Sequence, residues 1–159
     1  MLEKKMNNWY NIVYADLSKI PDFISFFEKE IDISKSTEMS LKGKTLEKHC
    51  AELPGIVENR FAQLQEIEAV LELLNIQYKQ EKSDRFKFYL QQFPKALSSR
   101  DAEKYAEGDP LVVNRAILVN EVALLRNKYL SLMKGLDSKN WMVGHIVKLR
   151  CAGLDDAQI

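Results

Sequence analysis

The sequence predicts an all-α protein made of long amphipathic helices, with an N-terminal helical region and a C-terminal helix that assembles copies of the chain. Good helix formers (Leu, Glu, Lys, Gln and Ala) are abundant. Only six glycines and four prolines occur in 159 residues, so turns are few. Apolar residues recur at helical spacing over two long stretches. Hydrophobic residues at 46 % are enough for a packed core, which argues against wholesale disorder.

The first third of the chain predicts short helices separated by breaks. One helix is expected over residues 8–18, and a second begins at Pro21, because proline suits the first turn of a helix. Residues 34–44 lose apolar periodicity and predict a loop. A short helix then follows from Thr45, which Pro54 and Gly55 are expected to end.

Two long helices dominate the rest of the prediction. Residues 56–93 contain neither Pro nor Gly, and Pro94 ends that stretch. Ser98 is expected to cap a short helix that ends near residue 107. Asp109 is the expected N-cap of a last helix over 110–152, weakened near Gly135 or Gly144.

The last helix carries a near-heptad repeat over about five heptads, which is typical of coiled coils. Lys139 interrupts the repeat, and its apolar face is wider than a two-stranded zipper needs, which favours a bundle or ring. We therefore expect an N-terminal domain over 1–98, an oligomerisation region over 99–159, and a homo-oligomer. The alternative is that this face packs on the 56–93 helix of the same chain. The seam expected to join copies comprises Leu118, Val122, Leu125, Tyr129, Leu132, Leu136, Val143 and Ile146.

Catalytic motifs are missing from the sequence. It has no glycine-rich phosphate loop and no nucleophile with an evident partner. His49 adjoins Cys50, and His145 lies six residues from Cys151, which is poor spacing for metal ligands on helices. We expect no enzymatic activity, no cofactor and no metal. The competing hypothesis is a small helical enzyme whose metal site forms by long-range convergence.

Cysteine use and hydropathy predict the compartment. Cys50 and Cys151 are isolated, which is typical of a reducing cytoplasm. No signal-peptide pattern begins the chain, and no apolar run approaches the roughly 18 residues of a membrane span. The expected location is the cytoplasm, without membrane partners.

Charge is distributed unevenly along the chain. Residues 1–78 hold nine basic and thirteen acidic residues, whereas residues 79–159 hold fourteen and ten. Residues 79–93 interleave cations with aromatic rings, a combination that binds phosphates and stacks on unpaired bases. The alternative is that the aromatic rings are core residues and the cations their solvated flank. The predicted DNA-binding residues are Lys79, Lys82, Arg85, Lys87, Phe88 and Tyr89.

Two short motifs lie on the two predicted long helices. The C-terminal motif reads Ser138, Lys139, Trp141, Val143, His145, Ile146, Leu149 and Arg150, and the earlier one reads Arg85, Phe86, Lys87, Phe88 and Tyr89. Over residues 80–150 the chain thereby resembles the UvsY family, the recombination mediators of T-even-type phages. The family pattern has Lys two positions before its Arg, where this chain has Ser83 with Lys82 beside it.

The resemblance implies a role in DNA recombination and repair inside a phage-infected bacterium. Such mediators form rings, bind single-stranded DNA, and help a RecA-like recombinase displace a single-strand-binding protein. The alternative is a non-enzymatic helical adaptor or virion structural protein that associates through the same seam without binding DNA.

Overall fold

The computed structural model describes residues 8–154, and these contain five α-helices and no β-strand. The all-α prediction is confirmed. The helices are α1 (Trp9–Ala15), α2 (Ile20–Ile33), α3 (Leu46–Gln91), α4 (Ser99–Glu107) and α5 (Pro110–Cys151). No helix among residues 8–154 combines the length and the apolar character that a membrane crossing requires.

The N-terminal segment predicted as one helix folds as two pieces. Asn8 caps α1 by accepting a hydrogen bond from the Asn11 amide at 3.3 Å. Asp16 adopts an extended conformation, ends α1 and caps a 3-10 turn over Leu17–Lys19. The start of α2 matches the prediction, because Pro21 lies in its first turn.

The chain after α2 departs from the predicted loop. Ser34–Glu38 continue as one π-helical turn. Thr37 Oγ1 donates to the Ile33 carbonyl at 2.7 Å, and the Met39 amide donates to the Ser34 carbonyl at 3.0 Å. A hydroxyl-to-carbonyl bond of this kind competes with the regular backbone ladder and often bends a helix, which agrees with the local change to a π-helical turn.

The predicted break at Pro54 is wrong. Helix α3 begins at Leu46, after the Thr45 cap, and passes through Pro54 and Gly55 without interruption. Proline removes one backbone hydrogen bond and disfavours a helix interior by about 3 kcal/mol. Leu53 and Leu64 are buried on the same helix, and burying a leucine side chain contributes about 1.5–3 kcal/mol. Packing on both sides of Pro54 therefore outweighs the local penalty.

Helices α4 and α5 begin as the sequence predicts. Ser98 and Asp109 are their N-caps, and α5 continues to Cys151 without a break at Gly135 or Gly144. Gly135 instead serves close packing. A Cβ atom there would lie 2.3 Å from the Met39 methyl carbon, so a larger residue would require the end of the Met39 side chain to shift.

The chain divides into two compact units, and the boundary expected at residue 98 does not coincide with this division. The first unit comprises residues up to Ile24 together with Glu66–Arg126. The second comprises Ser25–Gln65 together with residues from Asn127 onward. In the first unit, the backbone amide of Trp9 donates to Glu66 Oε1 at 2.6 Å, which fixes the start of α1.

The α5 seam is buried inside the single chain. Leu118 is half-buried, and the other seven seam residues are at most 9 % exposed, namely Val122, Leu125, Tyr129, Leu132, Leu136, Val143 and Ile146. The expectation that these side chains need other copies for their burial is therefore wrong, because the chain covers them itself. Self-association itself stays a prediction, now without this surface.

Arg60 forms a buried polar cluster in the second unit. Its Nη2 and Nε atoms lie 2.8 Å from the two carboxylate oxygens of Glu38, and Nη1 lies 2.7 Å from Glu30 Oε2. Nη1 also donates to Gln63 Oε1 at 2.8 Å, and that atom accepts from the Tyr129 hydroxyl at 3.1 Å. Burial raises the pKa of Tyr129, so its phenol stays a donor. The Arg60 cluster thus joins α2, the π-helical turn, α3 and α5 of this unit.

Lys139, which interrupts the seam in sequence, is buried with its charge satisfied. Its Nζ donates to the backbone carbonyls of Glu38 and Ser40, the latter at 3.2 Å. Burial, followed by the nearby charge of Lys44, holds the pKa of Lys139 below its usual value. Glu38 is the last residue of the π-helical turn and Ser40 lies just beyond it, so Lys139 pairs backbone groups that the end of a helix leaves without partners.

Adjacent leucines of α5 test the intramolecular burial of the seam. Leu125 is 1 % exposed and Leu124 is 63 % exposed. Leu125→Ala is expected to lower the free energy of unfolding by about 2–5 kcal/mol, because it leaves a cavity. Leu124→Ala is the matched control and should change it by less than about 0.5 kcal/mol. Urea denaturation followed by circular dichroism measures both. A folded, fully stable Leu125→Ala chain that merely loses solution mass would show that the seam joins copies.

Acid tests the Arg60 cluster. Burial alone would raise the pKa of Glu38, but hydrogen bonds from Arg60 and Ser34 outweigh burial and lower it below the ordinary 4.5. A carboxylate with a depressed folded-state pKa contributes stability above its unfolded pKa, and that stability is lost as the pH falls through the folded pKa. The free energy of unfolding of the wild type, measured with denaturant, should decrease below about pH 4.5. Glu38→Gln should be less stable at neutral pH and lose less stability on acidification; parallel pH profiles would contradict this role.

Candidate nucleic-acid interface

The six predicted DNA-binding residues lie in the last turns of α3, within the first unit. The structure divides them by their contacts. Arg85 Nε lies 2.7 Å from Asp109 Oδ2, and the Tyr89 hydroxyl donates to the same oxygen at 2.9 Å. The other oxygen of Asp109 accepts the Leu111 amide at 2.9 Å, which makes Asp109 the N-cap of α5. Arg85 and Tyr89 therefore hold the start of α5 against α3.

Electrostatics strengthen this cap. Burial alone would raise the pKa of Asp109, but hydrogen bonds from the Leu111 amide, Tyr89 and Arg85 outweigh burial and lower it. The hydrogen bond with Asp109 in turn raises the pKa of Arg85. Both groups stay ionised and compensate each other's charge, so Arg85 presents little net positive charge to an anionic partner.

Aromatic rings surround the same arginine. The guanidinium carbon lies 4.3 Å from the ring centroid of Phe88 and 5.5 Å from that of Tyr89. The Tyr89 ring also contacts Phe93 and Tyr105, with centroid separations of 5.4 and 5.6 Å. Phe88 and Tyr89 are half-buried in these contacts. For Arg85, Phe88 and Tyr89, the geometry favours the packing alternative over direct DNA contact.

The three lysines of the prediction are more accessible. Lys79 and Lys87 are exposed. Lys82 forms a surface ion pair with Glu107, with Nζ 2.9 Å from Oε1. That hydrogen bond raises the pKa of Lys82, which stays charged. Exposed ion pairs of this kind contribute about 0–1 kcal/mol to stability. A phosphate oxygen can therefore replace the Glu107 carboxylate at a small cost in free energy.

A groove between α3 and α4 collects two of these lysines. It has a volume of about 580 Å³ and lies within the first unit. Residues 79, 82, 83 and 86 share one face of α3, because they are three, four and seven positions apart. We call this the α3–α4 groove; it is lined by Lys79, Lys82, Ser83, Phe86, Ser99, Arg100, Glu103 and Ala106.

The six DNA-binding residues predicted from the sequence do not include Arg100 or Phe86, which both line the groove. Phe86 stands within the basic and aromatic stretch, and its spacing from Lys79 and Lys82 is the signal that distinguishes it from Phe88. Arg100 belongs to another helix and reaches the groove through tertiary packing alone. Lys87 lies outside the groove lining.

Metal chemistry finds no support in the described residues. Within 8–154, no group of three or more His, Cys, Asp or Glu side chains is arranged to hold a metal ion. The arrangement of the groove suits an extended anion with flat apolar parts.

Stability separates the role of Arg85 from that of Lys87. Arg85→Gln removes the ion pair that holds Asp109, so it should lower the thermal unfolding midpoint by a few degrees. Lys87→Gln is the matched control, because Lys87 is exposed, and its midpoint should match that of the wild type. Differential scanning calorimetry measures both. Equal midpoints for the two variants would contradict a structural role for Arg85.

Protein families, curated proteins and solved structures were compared with this chain, and none of them matches it.

Proposed function

We propose that the chain binds single-stranded DNA in the α3–α4 groove and acts as a recombination mediator. In that role it helps a RecA-like recombinase to load onto DNA covered by a single-strand-binding protein. The observation that carries the proposal is the groove itself, which cations from two helices line together with an aromatic side chain. The resemblance of residues 80–150 to phage mediators supplies the biological role.

The groove has the two components that non-sequence-specific binding of single strands requires. Lys79, Lys82 and Arg100 supply positive charge, and binding of phosphates to them releases condensed counterions. Phe86 supplies a flat, half-buried ring against which an unpaired base packs. Duplex DNA keeps its bases stacked inside the helix, so the same ring favours single strands.

Acidic residues moderate the affinity of one groove. Glu103 lines it, and Glu107 pairs with Lys82. A single copy therefore binds modestly and with strong salt dependence. A mediator that covers a strand gains affinity when several copies bind the same DNA, because each further contact forms at high effective concentration.

The alternative function is a protein-only adaptor or virion component, and one observation favours it. Val113, Ile117 and Leu124 of α5 are exposed, and their spacing of four and seven residues places them on one helix face. Exposed apolar side chains that share a face are typical of protein contact surfaces. This function predicts association with protein and no affinity for oligonucleotides.

Fluorescence anisotropy with a labelled single-stranded oligonucleotide tests the groove. The variant Lys79→Ala/Lys82→Ala/Arg100→Ala should bind the oligonucleotide more weakly than the wild type does. Its plot of log affinity against log salt should be shallower by about 2, since each phosphate contact on a single strand contributes ~0.7 to the slope. The charge-matched control is Lys29→Ala/Lys35→Ala/Lys42→Ala, whose lysines are exposed and belong to the second unit.

The control variant should bind as the wild type does. Equal affinities and salt slopes for the groove variant and the wild type would place the site elsewhere on the chain. Folded wild-type protein that binds no oligonucleotide at low salt would favour the adaptor function.

A further inference from the structure

The outer face of the last turns of α5 carries an exposed tryptophan that the fold does not use. Val143 and Ile146 are buried on the inner side of this part of the helix, whereas Trp141 is 71 % exposed. Its ring lies beside that of His145, one turn later, with centroids 6.5 Å apart and planes tilted by 32°. A tryptophan normally contributes to packing through its large apolar area, so packing in the chain leaves this one unexplained.

Gly144 is the second unexplained residue of this face. Glycine inside a helix is less favourable than alanine by about 1 kcal/mol, so a helix interior retains it where space is needed. A Cβ atom at Gly144 would meet no atom within 4 Å, so nothing in the described chain requires glycine there. Asn140, Trp141, Gly144, His145 and Lys148 instead line a shallow depression of about 290 Å³. Gly144 thus leaves open the space beside the indole ring.

Positive charge flanks this depression. Lys134, Trp141 and Lys148 are seven residues apart and therefore share a helix face. Among the described residues no ion pair involves Lys134, Lys148 or Arg150. The one acidic residue between 127 and 154 is Asp137, which lines a different depression with Cys50 and Phe61.

We propose that this α5 outer face (Lys134, Trp141, Gly144, His145 and Lys148) binds single-stranded nucleic acid. An unpaired base stacks on the Trp141 indole in the space that Gly144 leaves open, and Lys134 and Lys148 contact the flanking phosphates. Stacking on an aromatic ring requires a base that is not already inside a duplex. This surface belongs to the second unit and does not depend on the α3–α4 groove of the first.

Charge selects nucleic acid over a second copy of the chain. Two copies that paired this face with itself would bring their lysines together, and like charges across an interface are unfavourable. A nucleic-acid strand carries one phosphate and one base in each nucleotide. Its phosphates can therefore contact the lysines while a base stacks on the Trp141 ring.

Intrinsic fluorescence provides a direct test, because the chain holds two tryptophans. In a Trp9→Phe background, emission reports Trp141 alone. Titration with single-stranded oligothymidylate should quench this emission, because a stacked base quenches indole. A duplex of the same length should quench it much less. Unchanged emission on saturation with oligothymidylate would overturn the proposal.

Substitutions identify the contact. Trp141→Ala should weaken oligothymidylate binding by roughly five- to a hundredfold, the range for one stacked base. Tyr14→Ala, which removes another well-exposed aromatic ring, is the control and should bind as the wild type does. Gly144→Leu fills the space beside the indole ring, so it should weaken binding while the helix becomes more stable.

Two outcomes separate this proposal from its competitors. If the groove variant binds as the wild type does and Trp141→Ala binds more weakly, the proposal for the α5 outer face is supported and the proposal for the α3–α4 groove is wrong. If Trp141→Ala lowers the solution mass of the protein without changing its affinity for oligothymidylate, the face joins copies of the chain and the proposal is overturned.

Discussion

Burial of the apolar face of α5 inside its own chain is the constraint on which the other features depend. A helix with a wide apolar face must cover it, and here seven of the eight seam residues are covered without another molecule. The polar groups close to that face are accommodated by pairing. Lys139 bonds backbone carbonyls, Tyr129 bonds Gln63, and Arg60 holds two carboxylates. A buried charge without a partner is strongly destabilising. These paired polar groups therefore favour one register of the helices over its alternatives.

Local signals in the sequence predicted the helix starts well and the breaks poorly. Ser98 and Asp109 act as caps through their own side chains, so their roles are readable from a few neighbouring residues. Pro54 depends on packing along α3, and the environment of Lys139 comes from residues about a hundred positions earlier. The heptad pattern of α5 showed that its face must be buried. It carried no information on whether the cover belongs to the same molecule.

The candidate DNA-binding surface shows the same limit. A stretch of alternating cations and aromatic rings is compatible with both packing and binding, and the structure assigns its members to different tasks. Arg85 secures the start of α5 through Asp109, whereas Lys79 and Lys82 face the α3–α4 groove, to which α4 contributes Arg100. On α5 the distinction is also one of partners, because Lys139 is buried and satisfied while Lys148 lies exposed beside Trp141.

The dependence of thermal unfolding on protein concentration tests the central claim most directly. A chain that buries its own α5 seam unfolds at a midpoint that is independent of concentration, whereas a seam completed by other copies gains stability by mass action. We predict one unfolding midpoint over a roughly hundredfold range of concentration. A midpoint that rises steadily with concentration in the wild type, and that becomes independent of concentration in Leu125→Ala, would contradict the account.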